Sequence, residues 1–423
     1  MAVSLPQELI DLIIEHTGDH DAFKTCSLLS HACLDSCRRY RFQTVSISDK
    51  LYSPYDAPED SPFFRFWVNS SHLYTYVTVV RLFWSIPNGF KQLGTFLEPF
   101  IHLPTIEVHL FSAAQSQHGY PGFSSIIEHL AHPGSKLSTS ITRLITRDFN
   151  LRSPRAFTAF PNLKILRVLG QSTLPASAIS LPDRNPLKRI QLDELEVGYG
   201  ISSDTLTWLE RSIECSQLRV LKLNCSQTSA AFTRDGYLKF TSLVNCVAPT
   251  LHTFPFEPSN KEFIGNTYPP GFTSLSQFPL LQKLIIHRGF DTFPGSFFLW
   301  TLTVLSDLPS TNPIQEITID FPKFKGLSPL PARPDPIPAS AGEVQRLLNS
   351  FFDSLQFKKY QEHKDTLESI PALDTLLMNF SNLKMLSVVS NAPDTFFRER
   401  LPRLNKLRRL VLYAPSRSSV DAF

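Results

Sequence analysis

Residues 163–168 read LKILRV, that is Leu163-x-x-Leu166-x-Val168, and this phrase decides how the chain folds. In a strand, an apolar-x-apolar pair turns two side chains to the same side, while the leading leucine packs the incoming turn. The phrase returns as Leu187-x-x-Ile190-x-Leu192, Leu218-x-x-Leu221-x-Leu223, Leu281-x-x-Leu284-x-Ile286, Ile314-x-x-Ile317-x-Ile319, Leu383-x-x-Leu386-x-Val388 and Leu407-x-x-Leu410-x-Leu412. Looser copies are Val77-x-x-Val80-x-Leu82, Leu103-x-x-Ile106-x-Val108, Ile141-x-x-Leu144-x-Thr146 and Leu251-x-x-Phe254-x-Phe256. One copy alone says little, because leucine is common. Eleven copies with crossover-length gaps between them predict parallel strands over one continuous core.

Read from Leu163, the next copies begin 24 residues on at Leu187, then after 31, 33 and 30 residues at Leu218, Leu251 and Leu281. These periods sit at or just above the leucine-rich-repeat range of about 20–29 residues. Several gaps carry helical periodicity. Leu206, Leu209 and Ile213 share a face over 205–215, Leu238, Leu243 and Cys246 do so over 237–246, and 296–305 is almost wholly apolar. The Asn or Cys ladder position usual in leucine-rich repeats is mostly absent and the gaps are uneven, so the expected array is irregular. An ordinary α/β domain with parallel strands is the competing architecture. The gap from 314 to 383 holds a proline-rich loop, 326–341, that suits neither helix nor central strand, followed by an apolar-faced helix from 342 or 343 to 357.

The residue between the two core positions of each strand, and the one after, fall on the opposite, concave face. That places Arg147, Arg167, Asp193, Lys222, Asn224, His287 and Asp320 there as candidate target-binding residues, with the stretch from Arg147 to Arg167 basic and the region of Asp193, Glu257 and Asp320 acidic. A mixed face of this kind fits a protein or peptide target better than a uniformly charged polymer.

The N-terminus has a different texture. Pro6 suits the first turn of a helix and Glu8 the positive end of its dipole. Leu9, Leu12 and Ile13, with His16 one turn on, mark one face, and Ile10 and Ile14 a neighbouring one. Gly18-Asp19 ends this helix. Asp21 caps a second, over 22–29, and Ser30 a third, over 31–40, before Val45 and Ile47 alternate as a strand. Three short helices cannot bury enough apolar surface alone, which predicts a docking module.

The run Leu5-Pro6-x-Glu8-Leu9-Ile10-x-x-Ile13, then Ala22-x-x-x-Cys26-Ser27-Leu28-Leu29-Ser30, then Arg41-Phe42-Gln43-Thr44-Val45, resembles the F-box of fungal F-box proteins. The resemblance covers about a tenth of the chain. It departs at Cys33, where many relatives carry an aromatic residue. It implies a non-catalytic partner of a Skp-type adaptor, and through it of a cullin scaffold, with Leu5, Pro6, Ile10, Ile13, Leu28, Leu29 and Ser30 at or supporting the adaptor face. The organisation it implies is an F-box over 1–48, a linker over 49–69 and a leucine-rich-repeat-like α/β solenoid over 70–423. Two rivals stay open: an F-box scaffold acting outside a ubiquitin ligase, and an α/β enzyme capped by F-box-like helices.

Bulk properties narrow the field. With 41 basic and 38 acidic residues the net charge is +3, so no nucleic acid or membrane partner is expected. The six cysteines form no framework and the N-terminus has no secretory pattern, which places the chain inside the cell, cytoplasmic or nuclear. Cys26, His31, Cys33 and Cys37 have metal-ligand chemistry but not a finger spacing, so no metal or cofactor is expected. There is no phosphate loop, nucleophile elbow or zincin motif. An arginine cluster, Arg398 to Arg409, reads as a solvated crossover.

Overall fold

The computed structural model describes residues 6–17, 20–48, 62–84, 97, 100, 103–110, 136–147, 154–169, 189–198, 201–224, 234–256, 275–286, 301–302, 304–309, 311–320, 371–390 and 394–413. The chain divides into two compact units, Met1–Glu214 and Cys215–Phe423. Both are α/β, and every described strand pair is parallel.

The first unit opens with helices α1 (Gln7–Thr17), α2 (His20–Cys26) and α3 (His31–Phe42). Strand β1 (Thr44–Ser48), helix α4 (Pro62–Asn69) and strands β2 (Val79–Trp84) and β3 (Thr105–Leu110) follow. The unit continues with helix α5 (Lys136–Ser140), strands β4 (Arg143–Arg147), β5 (Ile165–Leu169) and β6 (Glu194–Gly198), and helix α6 (Ser203–Ser212). Its strands pair in chain order.

The second unit comprises β7 (Val220–Asn224), α7 (Arg234–Val247), β8 (Thr253–Phe256), β9 (Lys283–Ile286) and β10 (Glu316–Asp320). A helix over 371–377, β11 (Met385–Val389), α8 (Asp394–Arg400), α9 (Pro402–Lys406) and β12 (Leu410–Tyr413) complete it. These strands also pair in chain order. No described helix is long and apolar enough to cross a membrane.

Alternation does what the sequence demands. Val80 and Leu82, Leu166 and Val168, Leu195 and Val197, Leu284 and Ile286, Ile317 and Ile319, and Leu386 and Val388 are buried in pairs at two-residue spacing, and Ile106, Leu144 and Leu221 are buried in their strands. The leading residues Leu103, Ile141, Leu163, Leu218, Leu251, Leu281, Ile314 and Leu383 are buried too. Three residues before the leading leucine stands a buried phenylalanine in Phe100, Phe160, Phe278 and Phe380. The leucine N–H donates to its carbonyl, at 3.0 to 3.3 Å, closing a tight turn into each strand.

Two hydrogen-bond ladders lock neighbouring turns. The carbonyls of Gln43, Pro104, Thr142, Lys164, Arg219, His252, Gln282 and Gln315 each accept from two consecutive amides of the next strand's entry, as Lys164 does from Asp193 and Glu194. Polar side chains near the leading residue form the second. Ser140 Oγ donates to Leu103 O, Asn162 Nδ2 to Thr139 O, Thr250 Oγ1 to Leu218 O, Asn312 Nδ2 to Phe278 O and Asn382 Nδ2 to Asn312 O. In place of an asparagine after the strand, serine, threonine or asparagine just before the leading residue forms the side-chain ladder.

One strand lies elsewhere than expected. Ile190 makes a single bridge to Ile213, and the strand beside β5 is Glu194–Gly198, with Leu166 opposite Leu195. The operative phrase is Leu192-x-x-Leu195-x-Val197. Leu192 lies 29 residues after Leu163 and 26 before Leu218, so the spacing is more even than the first reading of it. Among the helices, α6 and α7 cover the predicted crossovers, and the expected linker ends in a helix, since 62–69 is α4. Strand β1 is hydrogen-bonded to β2, so residues 44–48 belong to the sheet rather than to the helical head. The proline-rich loop 326–341, and the helix expected after it, lie outside the described residues.

Candidate partner-binding surfaces

The helical head is built around α3. Ser30 caps it, its Oγ accepting from Cys33 N at 3.1 Å. Ile14, Ser36 and Cys37 are buried where α1 meets α3. Buried Ser36 needs partners, and it has them. Its hydroxyl donates to the Asp11 carboxylate, and Gln7 Nε2 donates to Ser36 Oγ (2.7 Å) and Asp11 Oδ1 (2.9 Å). These donors, Ser36 first and Gln7 next, hold the Asp11 carboxyl below its ordinary range, with Arg39 adding a smaller pull against the cost of burial. The Tyr76 hydroxyl donates to Asp35, which raises the Tyr76 pKa and ties α3 to the 3-10 turn Ser71–Tyr76. Aromatic rings finish the joint: Phe42 meets Trp67 (6.0 Å), Trp67 meets Tyr74 (5.7 Å), and Tyr74 meets Phe100 (4.7 Å).

The outer side of this head is apolar and open. Leu9, Leu12 and Ile13, one face of α1 by their spacing, are 46, 48 and 54% exposed, and Leu28 and Leu29, in the turn before α3, are 86 and 72% exposed. A single exposed leucine is ordinary, whereas five large exposed aliphatic side chains on so small a head make it a candidate interaction surface. Of the residues named from the sequence, Ile13, Leu28 and Leu29 are exposed, Ile10 is half-buried, and exposed Pro6 starts α1 by accepting from Leu9 N and Ile10 N. Leu5 lies outside the described residues. Ser30 is a helix cap, its hydroxyl already engaged within the chain. Leu9 and Leu12 complete the patch. Their spacing with Ile13 was the available signal.

On the sheet face opposite the core, charges answer one another across strands. Arg81 sits opposite Glu107 and pairs with it (Nε to Oε2, 2.7 Å). Arg167 sits opposite Glu196 (3.1 Å) and also meets Glu194 (3.2 Å). In the second unit Lys283 sits opposite Glu316 and pairs with it (2.8 Å). Such cross-strand pairs stabilise a sheet by about 0.2–1 kcal/mol each.

The expected basic stretch is corrected at Arg167, whose charge is more than balanced by two carboxylates. Asp193 is corrected as well. With the strand at 194–198 it stands before the strand as an exposed residue, its amide bonded to Lys164 O. Lys222 on β7 and Asp320 at the end of β10 are half-buried and carry partners of their own. Arg147 and Asn224 end β4 and β7 with side chains outside the described set, as is all of His287.

Among the described residues no group of three His, Cys, Asp or Glu side chains is placed to hold a metal ion. Cys26, Cys33 and Cys37 are free thiols, and burial pushes the Cys37 thiol up, with Cys26 and Cys33 adding to it. No protein-family model matches this chain, and no curated protein matches it.

Proposed function

We propose that this chain is the non-catalytic substrate-recognition adaptor of a Skp-cullin-F-box type ubiquitin ligase: the helical head docks a Skp-type adaptor and the repeating parallel coils hold a target protein. The observation that carries the reading is the exposure of Leu28 and Leu29, with Leu9, Leu12 and Ile13, on a head whose residue order resembles an F-box. The chain's contribution to ubiquitin transfer is proximity alone: it raises the effective concentration of the target at a charged partner enzyme. Recognition on the coils rests with a few residues within the mixed-charge face.

The test is co-expression with a Skp-type adaptor followed by pull-down. The full chain is compared with Leu28→Asp/Leu29→Asp and with Leu5→Ala/Pro6→Ala, and each variant is checked by thermal melting. The wild type is expected to retain the adaptor, and Leu28→Asp/Leu29→Asp to lose it at an unchanged melting temperature. Equal recovery by all three sinks the assignment.

A further inference from the structure

A groove of about 150 Å3 opens on the head between α2 and α3, lined by Phe23, Ser27, Leu34, Cys37, Arg38, Arg41 and Phe42. We infer that it is a second docking site, one that takes an acidic peptide segment by a single aromatic side chain. The inference rests on the groove's own lining and does not depend on the adaptor reading.

Apolar Phe23, Leu34, Cys37 and Phe42 share the lining with polar Ser27, Arg38 and Arg41. Cys37 is 3% exposed, while Phe23, Leu34 and Phe42 are half-buried around it. Burial keeps the Cys37 thiol protonated, so the floor carries no charge. A volume of about 150 Å3 is that of a cavity known to hold benzene, so the groove is large enough for one aromatic ring. Phe42 cannot swing in to fill it, because it is held against Phe66 (6.3 Å) and Trp67 (6.0 Å).

Charge selects the rest of the ligand. Of the three arginines on the last turns of α3, Arg39 is taken by Asp11 and Asp35. Arg38 acts electrostatically on the Tyr76 hydroxyl, which donates to Asp35, and Arg41 lies over the Phe42 ring at 5.7 Å. Neither Arg38 nor Arg41 has a carboxylate partner among the described residues, and both line the groove. Two planar guanidinium groups beside an aromatic-sized cavity match carboxylates that flank an aromatic residue.

The experiment titrates full-length protein with a fluorescent DEFED pentapeptide, using DEAED and KKFKK as controls. DEFED is expected to bind about tenfold or more tighter than either control, and to weaken as salt rises through the range that screens surface charge. Arg38→Glu/Arg41→Glu is expected to lower DEFED affinity by about tenfold or more. Exposed Arg41→Glu alone, which leaves the Tyr76 contact intact, gives a smaller loss and serves if the double variant melts early. No preference for DEFED over the controls, or unchanged binding in the arginine variants, overturns the inference. The Leu28→Ala/Leu29→Ala chain, which removes both leucines without adding charge next to Ser27, is expected to lose the adaptor and to bind DEFED as the wild type does, so failure of the adaptor reading and failure of this one are told apart.

Discussion

Asp374 shows how much one side chain holds in the second unit. It is 3% exposed, and its two oxygens accept from Arg403 N (3.1 Å) and Leu404 N (3.2 Å), capping α9 from a helix distant in sequence. Leu401, at the N-cap position, offers no side-chain acceptor. Asp374→Ala leaves two amides unanswered and is expected to cost about 1–3 kcal/mol in urea unfolding, with Asp374→Asn costing less. At the other end of α9, Arg408 has φ 57, in the left-handed region. Arg408→Gly is expected to raise stability by up to about 1 kcal/mol, read as a higher melting temperature. Asp11 sets a pH dependence. Its folded pKa is lowered from an ordinary 3.8, so its contribution is complete above that value and is lost as pH falls through the folded pKa. Asp11→Asn should therefore flatten the acid limb of the stability profile below about pH 4, with no steepening near neutrality, measured by urea midpoints across pH.

At the scale of elements, β6 is where reading the sequence and building the strand part company. Leu187-x-x-Ile190-x-Leu192 and Leu192-x-x-Leu195-x-Val197 overlap at Leu192, and both satisfy the phrase. What chooses between them is pairing, because the Lys164 carbonyl accepts from Asp193 and Glu194 and so sets the register. Leu195→Ala, at a fully buried position, is expected to cost about 2–5 kcal/mol, while Asp193→Ala stays within about 0.5 kcal/mol. Equal effects in chemical denaturation would return the strand to 187–192. Strand positions were otherwise legible because two-residue alternation depends only on local sequence. The side-chain ladder was not, because serine, threonine and asparagine share the position and no single letter repeats. Charge on the open face was hidden for the same reason: Arg167 reads as basic until the register puts Glu196 across from it.

At the scale of the whole molecule, the exposed leucines of the head were more legible in the sequence than the charge pattern of the open sheet face. Helix spacing was enough to group Leu9, Leu12 and Ile13, and adjacency was enough to group Leu28 with Leu29. The charge pattern of the open sheet face needs strand registers that alternation alone does not supply. With a net charge of only +3, electrostatic repulsion does little to keep chains apart, so any self-association at high concentration is expected to run through the exposed leucines. Leu28→Glu/Leu29→Glu is expected to lower the apparent mass in light scattering at high protein concentration, with the melting temperature unchanged. A melting temperature several degrees lower would mean that these side chains are buried in solution.

The paired amides at each strand entry restrict which substitutions the chain tolerates. Where one carbonyl takes two successive N–H groups, as at Thr142 and Arg143 or at Gln282 and Lys283, an imino acid in either slot deletes a rung. The chain carries 33 prolines, and none occupies such a donor slot at the eight described carbonyls. The acceptor slot has no such ban, and Pro104 fills one. Drift is therefore free to stiffen the route between coils with ring-closed residues, but not the two steps that begin a strand.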